Sequence, residues 1–169
     1  MYERILVALD GSEPSRAALS EAVELARLAP HSVLRLLAVV AIPAAAFPIE
    51  GGDELALVRR LQASANEALR EAEEKVASCG LRAESEALEK VGGSIAEAIV
   101  ADAWRWKADL IVLGTHGRSG VRRMVLGSVA EGVARAAGRP VLLVRTRLHE
   151  SEEGGARPRH EEGATGHGA

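Results

Sequence analysis

The stretch VLGTHGRSGVRRMVLGSVAEGV, from Val112 to Val133, holds the residues of this chain best suited to chemistry. Gly114, Gly117, Gly127 and Ser128 follow the spacing Gly-x2-Gly-x9-Gly-Ser, with His116, Arg118, Arg122 and Arg123 between them. A glycine lets the backbone turn sharply and approach a ligand, because no Cβ stands in the way. A helix opening at Gly127–Ser128 begins with amides that have no partner inside the helix, and these favour an anion such as phosphate. Two common nucleotide motifs are absent: no Gly-Lys pair exists to complete GxxxxGK[ST], and GxGxxG does not occur. Turns and a helix cap would by themselves account for bare glycines at this spacing. The context favours a ligand, since a buried strand leads in and a capped helix leads out.

The elements that must position this loop alternate regularly. RILVAL (Arg4 to Leu9) is a short apolar run of the kind buried on both faces of a sheet, and DGSEPS after it starts a helix capped by Ser12 with Pro14 in its first turn. Ala18, Ala22, Leu25 and Leu28 recur at helical spacing. SVLRLLAVV (Ser32 to Val40) reads as the next strand and AIPAAAFPIEGG as a loop. Val58, Leu61, Ala65, Leu69, Ala72 and Val76 stripe a long helix from Asp53 to Ser78, ended by Gly80. LRAESEALEK alternates weakly as a strand, and Ser94 with Glu97 has capping-box spacing for a third helix. ADLIVLG is the clearest buried strand. In the fourth helix Ser128 and Glu131 repeat the box, Val129, Val133 and Ala136 form the stripe, and Gly138 with Pro140 stops it before a strand over Pro140 to Arg145. This order implies an α/β fold, a single doubly wound five-stranded parallel sheet with helices on both faces.

Composition bounds the rest. A length of 169 residues suits one domain, and no apolar run is long enough to span a membrane, so the expectation is a soluble, untargeted protein. The single cysteine, Cys79, forms no internal disulfide and fits a reducing cytoplasm; it reads as a small residue at a helix end. A net charge of −3 and 2% aromatic content argue against a nucleic-acid partner. The domain is expected over residues 1–147. Residues 148–169 lack periodic apolar residues and read as a disordered tail, whose His149, His160 and His167 match no compact metal set. Trp104 and Trp106 point to different sides of a helix, so one packs and the other is partly exposed. Gly132, inside a helix, has no functional reading.

The sequence resembles the universal stress protein family, its ATP-binding branch in particular, through ILVALDGSEPS, ADLIVLGTHGRSG and LGSVAEGVARAAGRPVLLVR, over Met1 to about Arg145. The resemblance implies a Rossmann-like domain that binds ATP, with Mg²⁺ as a companion ion left open, and dimerises through its last strand in stress responses. It sets Asp10 and the backbone of Ala8 and Leu9 against the adenosine, and Val39 in the adenine pocket. Gly114, His116 and Gly117 meet the ribose and phosphates, and Gly127, Ser128, Val129 and Ala130 hold the phosphate chain. Ala130 departs from the hydroxyl residue that family ATP binders can carry there, which removes one phosphate contact. No catalytic residue is implied. Asp10 also has a purely structural reading as a turn aspartate, and the three arginines either screen phosphate or solvate the loop. Two other functions stay open: slow ATP hydrolysis or phosphoryl transfer, and an interaction module without nucleotide. DGSEPS lacks a Ser-Gly-Gly phosphate motif and no general base with an orienting partner stands near the glycines, whereas the intact glycines speak against the module. As an edge strand, PVLLVR would be an aggregation hazard unless paired with a second copy.

Overall fold

The computed structural model describes residues 2–42, 52–115 and 126–146. Nine elements alternate through them: β1 (Arg4–Leu9), α1 (Glu13–Arg27), β2 (Val33–Ile42), α2 (Gly52–Ser78), β3 (Arg82–Val91), α3 (Ile95–Trp106), β4 (Leu110–Gly114), α4 (Ser128–Ala136) and β5 (Val141–Val144). The strands form one parallel sheet in the order β3-β2-β1-β4-β5, as the alternation of patterns predicts. Parallel neighbours require crossover helices, and these cover both faces. Ile5, Val7 and Leu9 of β1 pack with α1 and α2 on one face, while Leu6 joins α3 and α4 on the other. The period of two along each strand supplies both cores.

Local chemistry fixes the helix ends. The Ser12 hydroxyl accepts from Ser15 N at 3.4 Å with Pro14 in the first turn of α1, as expected. At the far end of α2, Gly80 adopts φ +70°, which lets Leu81 N donate back to Val76 O at 3.2 Å. Trp106 is buried and Trp104 is 54% exposed, with Arg139 stacked on its ring.

Several local expectations are corrected. Ser94 occupies the N-cap of α3 without any hydrogen bond from its side chain; Gly92 and Gly93, at φ 62° and 75°, set the chain's entry instead. The N-cap of α4 is Gly127, not Ser128. Gly127 has the extended cap conformation and its carbonyl takes the bond from Glu131 N at 2.9 Å, which makes Ser128 the first helical residue. The buried stripe of α4 runs through Ala130 and Val133 and on to its C-cap, Ala137, with Val129 at its margin and Ala136 exposed. Leu28, beyond the last residue of α1, is exposed, and Ala26 takes the core position. β2 continues through Ala41 and Ile42, because β3 pairs with it as far as Val91. The expected tail from residue 148 lies outside the described residues.

Gly132 now has a reason. A Cβ there would stand 2.7 Å from the Cβ of Ala96, so glycine permits the close approach of α4 to α3. Helix propensity alone would favour alanine by about 1 kcal/mol, but overpacking a rigid contact costs typically 1–3 kcal/mol. The Gly132→Ala variant is therefore expected to unfold at lower urea concentration than the wild-type chain; a higher midpoint would refute the contact.

Candidate functional site

The connections leave β1 and β4 in opposite directions, β1 toward β2 and β4 toward β5. In open parallel sheets such a reversal opens a crevice outside the carboxyl ends of the strands, where ligands bind. A cavity of about 420 Å³ sits there, within the roughly 300–1,000 Å³ common for small-molecule sites. Leu61 and Ala65 of α2 wall it from one helix layer, and Ile95 and Ile99 of α3 from the other. Its floor is the carboxyl ends of β1, β2 and β4, and the first turn of α4 closes one side.

Nine of the residues singled out in the sequence meet on this cavity: Ala8, Leu9, Asp10, Val39, Gly114, Gly127, Ser128, Val129 and Ala130. His116 and Gly117 lie outside the described residues, as do Arg118, Arg122 and Arg123. The described residues on either side of that stretch are joined: Gly127 N donates to Thr115 O at 2.9 Å, and Thr115 N donates to Val144 O at 2.9 Å, which ties both to β5.

Individual residues combine a structural role with a place on the cavity. Asp10 Oδ1 accepts from Ser12 N at 3.0 Å and from Ser12 Oγ at 2.6 Å, which builds the turn and also orients the carboxylate at the cavity. The turn reading of Asp10 thus holds without removing it from the site. Ser128 is exposed at the start of α4 and its hydroxyl does not cap the helix. Gly114 has a use the sequence did not suggest: a Cβ there would meet Pro14 at 2.7 Å from its Cβ and 2.9 Å from its carbonyl oxygen. The glycine lets the start of α1 lie against the end of β4, and that contact shapes the floor.

The backbone of β2 contributes as well. β1 pairs with β2 only as far as Leu9 opposite Ala38, whereas β2 runs on to Ile42 opposite Val91. Val33 N donates to Glu3 O at 2.8 Å on the β1 side, and Ile42 O accepts from Gly92 N at 3.0 Å on the β3 side. Odd-numbered residues of β2 accordingly aim their backbone groups at β1, since successive residues of a strand bond to opposite sides. Past Leu9 the Val39 carbonyl and the Ala41 amide and carbonyl face the crevice. Sequence reasoning missed Ala41, which it read as loop, and also Ile95, Ile99, Leu61, Ala65 and Thr115, whose residue types are those of any core.

Comparison with known proteins places this architecture. The model of the universal stress protein family matches residues 1–145. The chain belongs to the universal stress protein family. A universal stress protein of Methanocaldococcus jannaschii is similar at 37% identity over 145 residues, covering 86% of this chain and 83% of the relative. Among solved structures, protein MJ0577 of the same archaeon superposes with a TM-score of 0.75 at 26% identity, covering 88% of this chain and 99% of that one. A universal stress protein from Archaeoglobus fulgidus solved in complex with dAMP gives a TM-score of 0.59 at 26% identity, with 85% and 98% covered. Another universal stress protein, in complex with cAMP, gives 0.57 at 27% identity, with 85% and 97% covered.

The Gly114 contact is testable apart from any ligand. Gly114→Ala is expected to cost about 1–3 kcal/mol in urea unfolding of the ligand-free chain; an unchanged midpoint would show that Pro14 yields and that packing does not need this glycine.

Proposed function

We propose that this chain binds an adenine nucleotide, ATP in the first place, at the crevice, and that occupancy regulates a cytoplasmic stress-response homodimer. The observation that carries the reading is the junction of two unlike surfaces in one cavity. An apolar slot between α2 and α3 runs beside the backbone edge of β2, and the opening amides of α4 stand at the same cavity. The slot suits a flat base. The Val39 carbonyl can accept from the adenine amino group while the Ala41 amide donates to the ring nitrogen beside it. Guanine presents an acceptor where adenine presents its amino donor, so it meets this edge with the wrong polarity.

The amides that open α4, with the main chain of Gly127, Ser128, Val129 and Ala130, cradle the phosphates. Ala8, Leu9 and Asp10 lie along the adenosine, and Gly114 with His116 and Gly117 lies along the ribose and phosphates. Mg²⁺, where used, enters with the triphosphate, whose oxygens and water commonly supply most of its ligands. Support for this assignment also comes from the two relatives solved with dAMP and cAMP, both adenine nucleotides. The dimer reading rests on β5, an edge strand whose Val141, Leu142 and Leu143 are only partly buried within one chain. No helix among the described residues is long and apolar enough to cross a membrane.

Binding to the folded chain alone would stabilise it by about 2.7 kcal/mol at a hundredfold excess of ligand over Kd. Thermal melts are expected to rise with millimolar ATP and to rise clearly less with GTP, with Gly127→Trp abolishing the shift by filling the cavity mouth. Equal shifts for ATP and GTP would refute the β2 edge as the base reader, and no shift with either would refute the nucleotide reading. Light scattering at micromolar concentration is expected to give a dimer mass; a monomer would remove the proposed role of β5.

A further inference from the structure

Arg35 and Asp102 are the charged residues among the described residues that are buried, at 8% and 2% exposure. They meet through two bonds: Arg35 Nε donates to Asp102 Oδ2 at 3.1 Å, and Arg35 Nη2 to Asp102 Oδ1 at 3.2 Å. Around them Glu86 accepts from Arg35, Arg105 bridges Glu86 and Asp102, and Trp106 Nε1 donates to Glu84 at 2.8 Å. Burial by itself lowers the pKa of the Arg35 guanidinium, but its bonds to Asp102 and Glu86 more than offset this and hold it above the ordinary arginine value. A buried ion pair is a weak source of net stability, because desolvation cancels much of the attraction, and an apolar pair of similar volume often does as well. Its distinctive property is that an uncompensated partner is very costly.

The place of the pair gives that property a use. Ile95, Ile99, Asp102 and Trp106 follow one stripe of α3 at spacings of four, three and four. Arg35, Leu37 and Val39 follow one face of β2 at spacings of two, with Leu37 and Val39 packed in the core beneath α3. The ion pair is therefore the far end of a contact whose near end is the cavity, where Leu37 and Val39 face Ile95 and Ile99. The rest of that helix face is largely small, with Ala96 and Ala103 among its buried residues. Such a surface resists sliding weakly, whereas a slip or rotation of α3 would separate the buried charges.

We propose that the Arg35–Asp102 pair is a positioning device that fixes the register of α3 on β2, and thereby the shape of the apolar wall that receives the base. This rests on the nucleotide reading above only for what the wall receives. Neither residue lines the cavity, so both act through Ile95 and Ile99.

The test uses the full chain without nucleotide, then with it. Arg35→Met alone leaves the buried Asp102 to Arg105, whose side chain is exposed, and should lower stability. Arg35→Met with Asp102→Leu should remain folded with a urea midpoint near that of the wild type, yet the δ1 methyl resonances of Ile95 and Ile99 should split or broaden. Its calorimetric Kd for ATP should rise at least tenfold. Sharp methyl resonances at their wild-type positions in the double variant would overturn the proposal. Should the double variant not fold, Arg35→Lys decides, because lysine keeps the charge and loses the two-pronged grip. Broadened methyls support the register role, and wild-type methyls overturn it. If the wild-type chain gives no heat with ATP, the nucleotide reading fails while the methyl comparison still decides the register.

Discussion

Two adjacent strands whose chains depart in opposite directions cannot have their exits covered by the same crossover, and this constraint shapes everything at the upper edge of the sheet. Between β1 and β4 the constraint leaves a gap, which α2 and α3 flank and the start of α4 closes. The gap is polar where backbone ends and apolar where helices lean in, because β1 stops at Leu9 while β2 goes on to Ile42. A difference of a few residues in strand length thus turns a packing defect into a cavity with a backbone edge on one side and apolar side chains on the others. The glycines at 114 and 132 support the arrangement by permitting close contacts within the fold, with Pro14 and Ala96 respectively.

Much of this was legible in the sequence because buried parallel strands and amphipathic helices write distinct periods. ADLIVLG and RILVAL could hardly be anything but interior strands, and the α2 stripe from Val58 to Val76 appears in the core as written. Gly114, Gly127 and Ser128 at the strand-to-helix junction were legible from their context after a buried strand, whereas Ala8, Leu9, Asp10 and Val39 came only from the family resemblance; all of them line the cavity. What stayed illegible has a common cause: it depends on which partner stands opposite. Ala136 and Ala137 are interchangeable by periodicity, and only the facing helix selects Ala137. A serine three residues before a glutamate signals a cap, yet Gly127 takes the cap of α4 and the Gly92–Gly93 turn steers α3. The end of β2 was masked by prolines beyond it, since nothing in ALA-rich sequence announces that β3 will keep pairing to Val91.

The charged residues divide in the same way. Arg35 sits within an otherwise apolar strand, where a sequence reader passes it as a single interruption. Its meaning appears only when Asp102, 67 positions later, is seen against it. Surface pairs such as Arg27 with Glu24, at 3.2 Å, are by contrast readable from spacing and contribute about 0–1 kcal/mol each. Spacing and energetic consequence therefore run in opposite directions here: the interactions easiest to foresee matter least.

The bond from Gly127 N to Thr115 O, with Thr115 N held by Val144, joins the two feet of the intervening segment to the scaffold itself. Those two bonds run from the end of β4 to the entry of α4 and across to β5, so strand end, helix entry and edge strand share one corner. A displacement of the edge strand is thereby passed, through two hydrogen bonds, to the helix that closes the cavity.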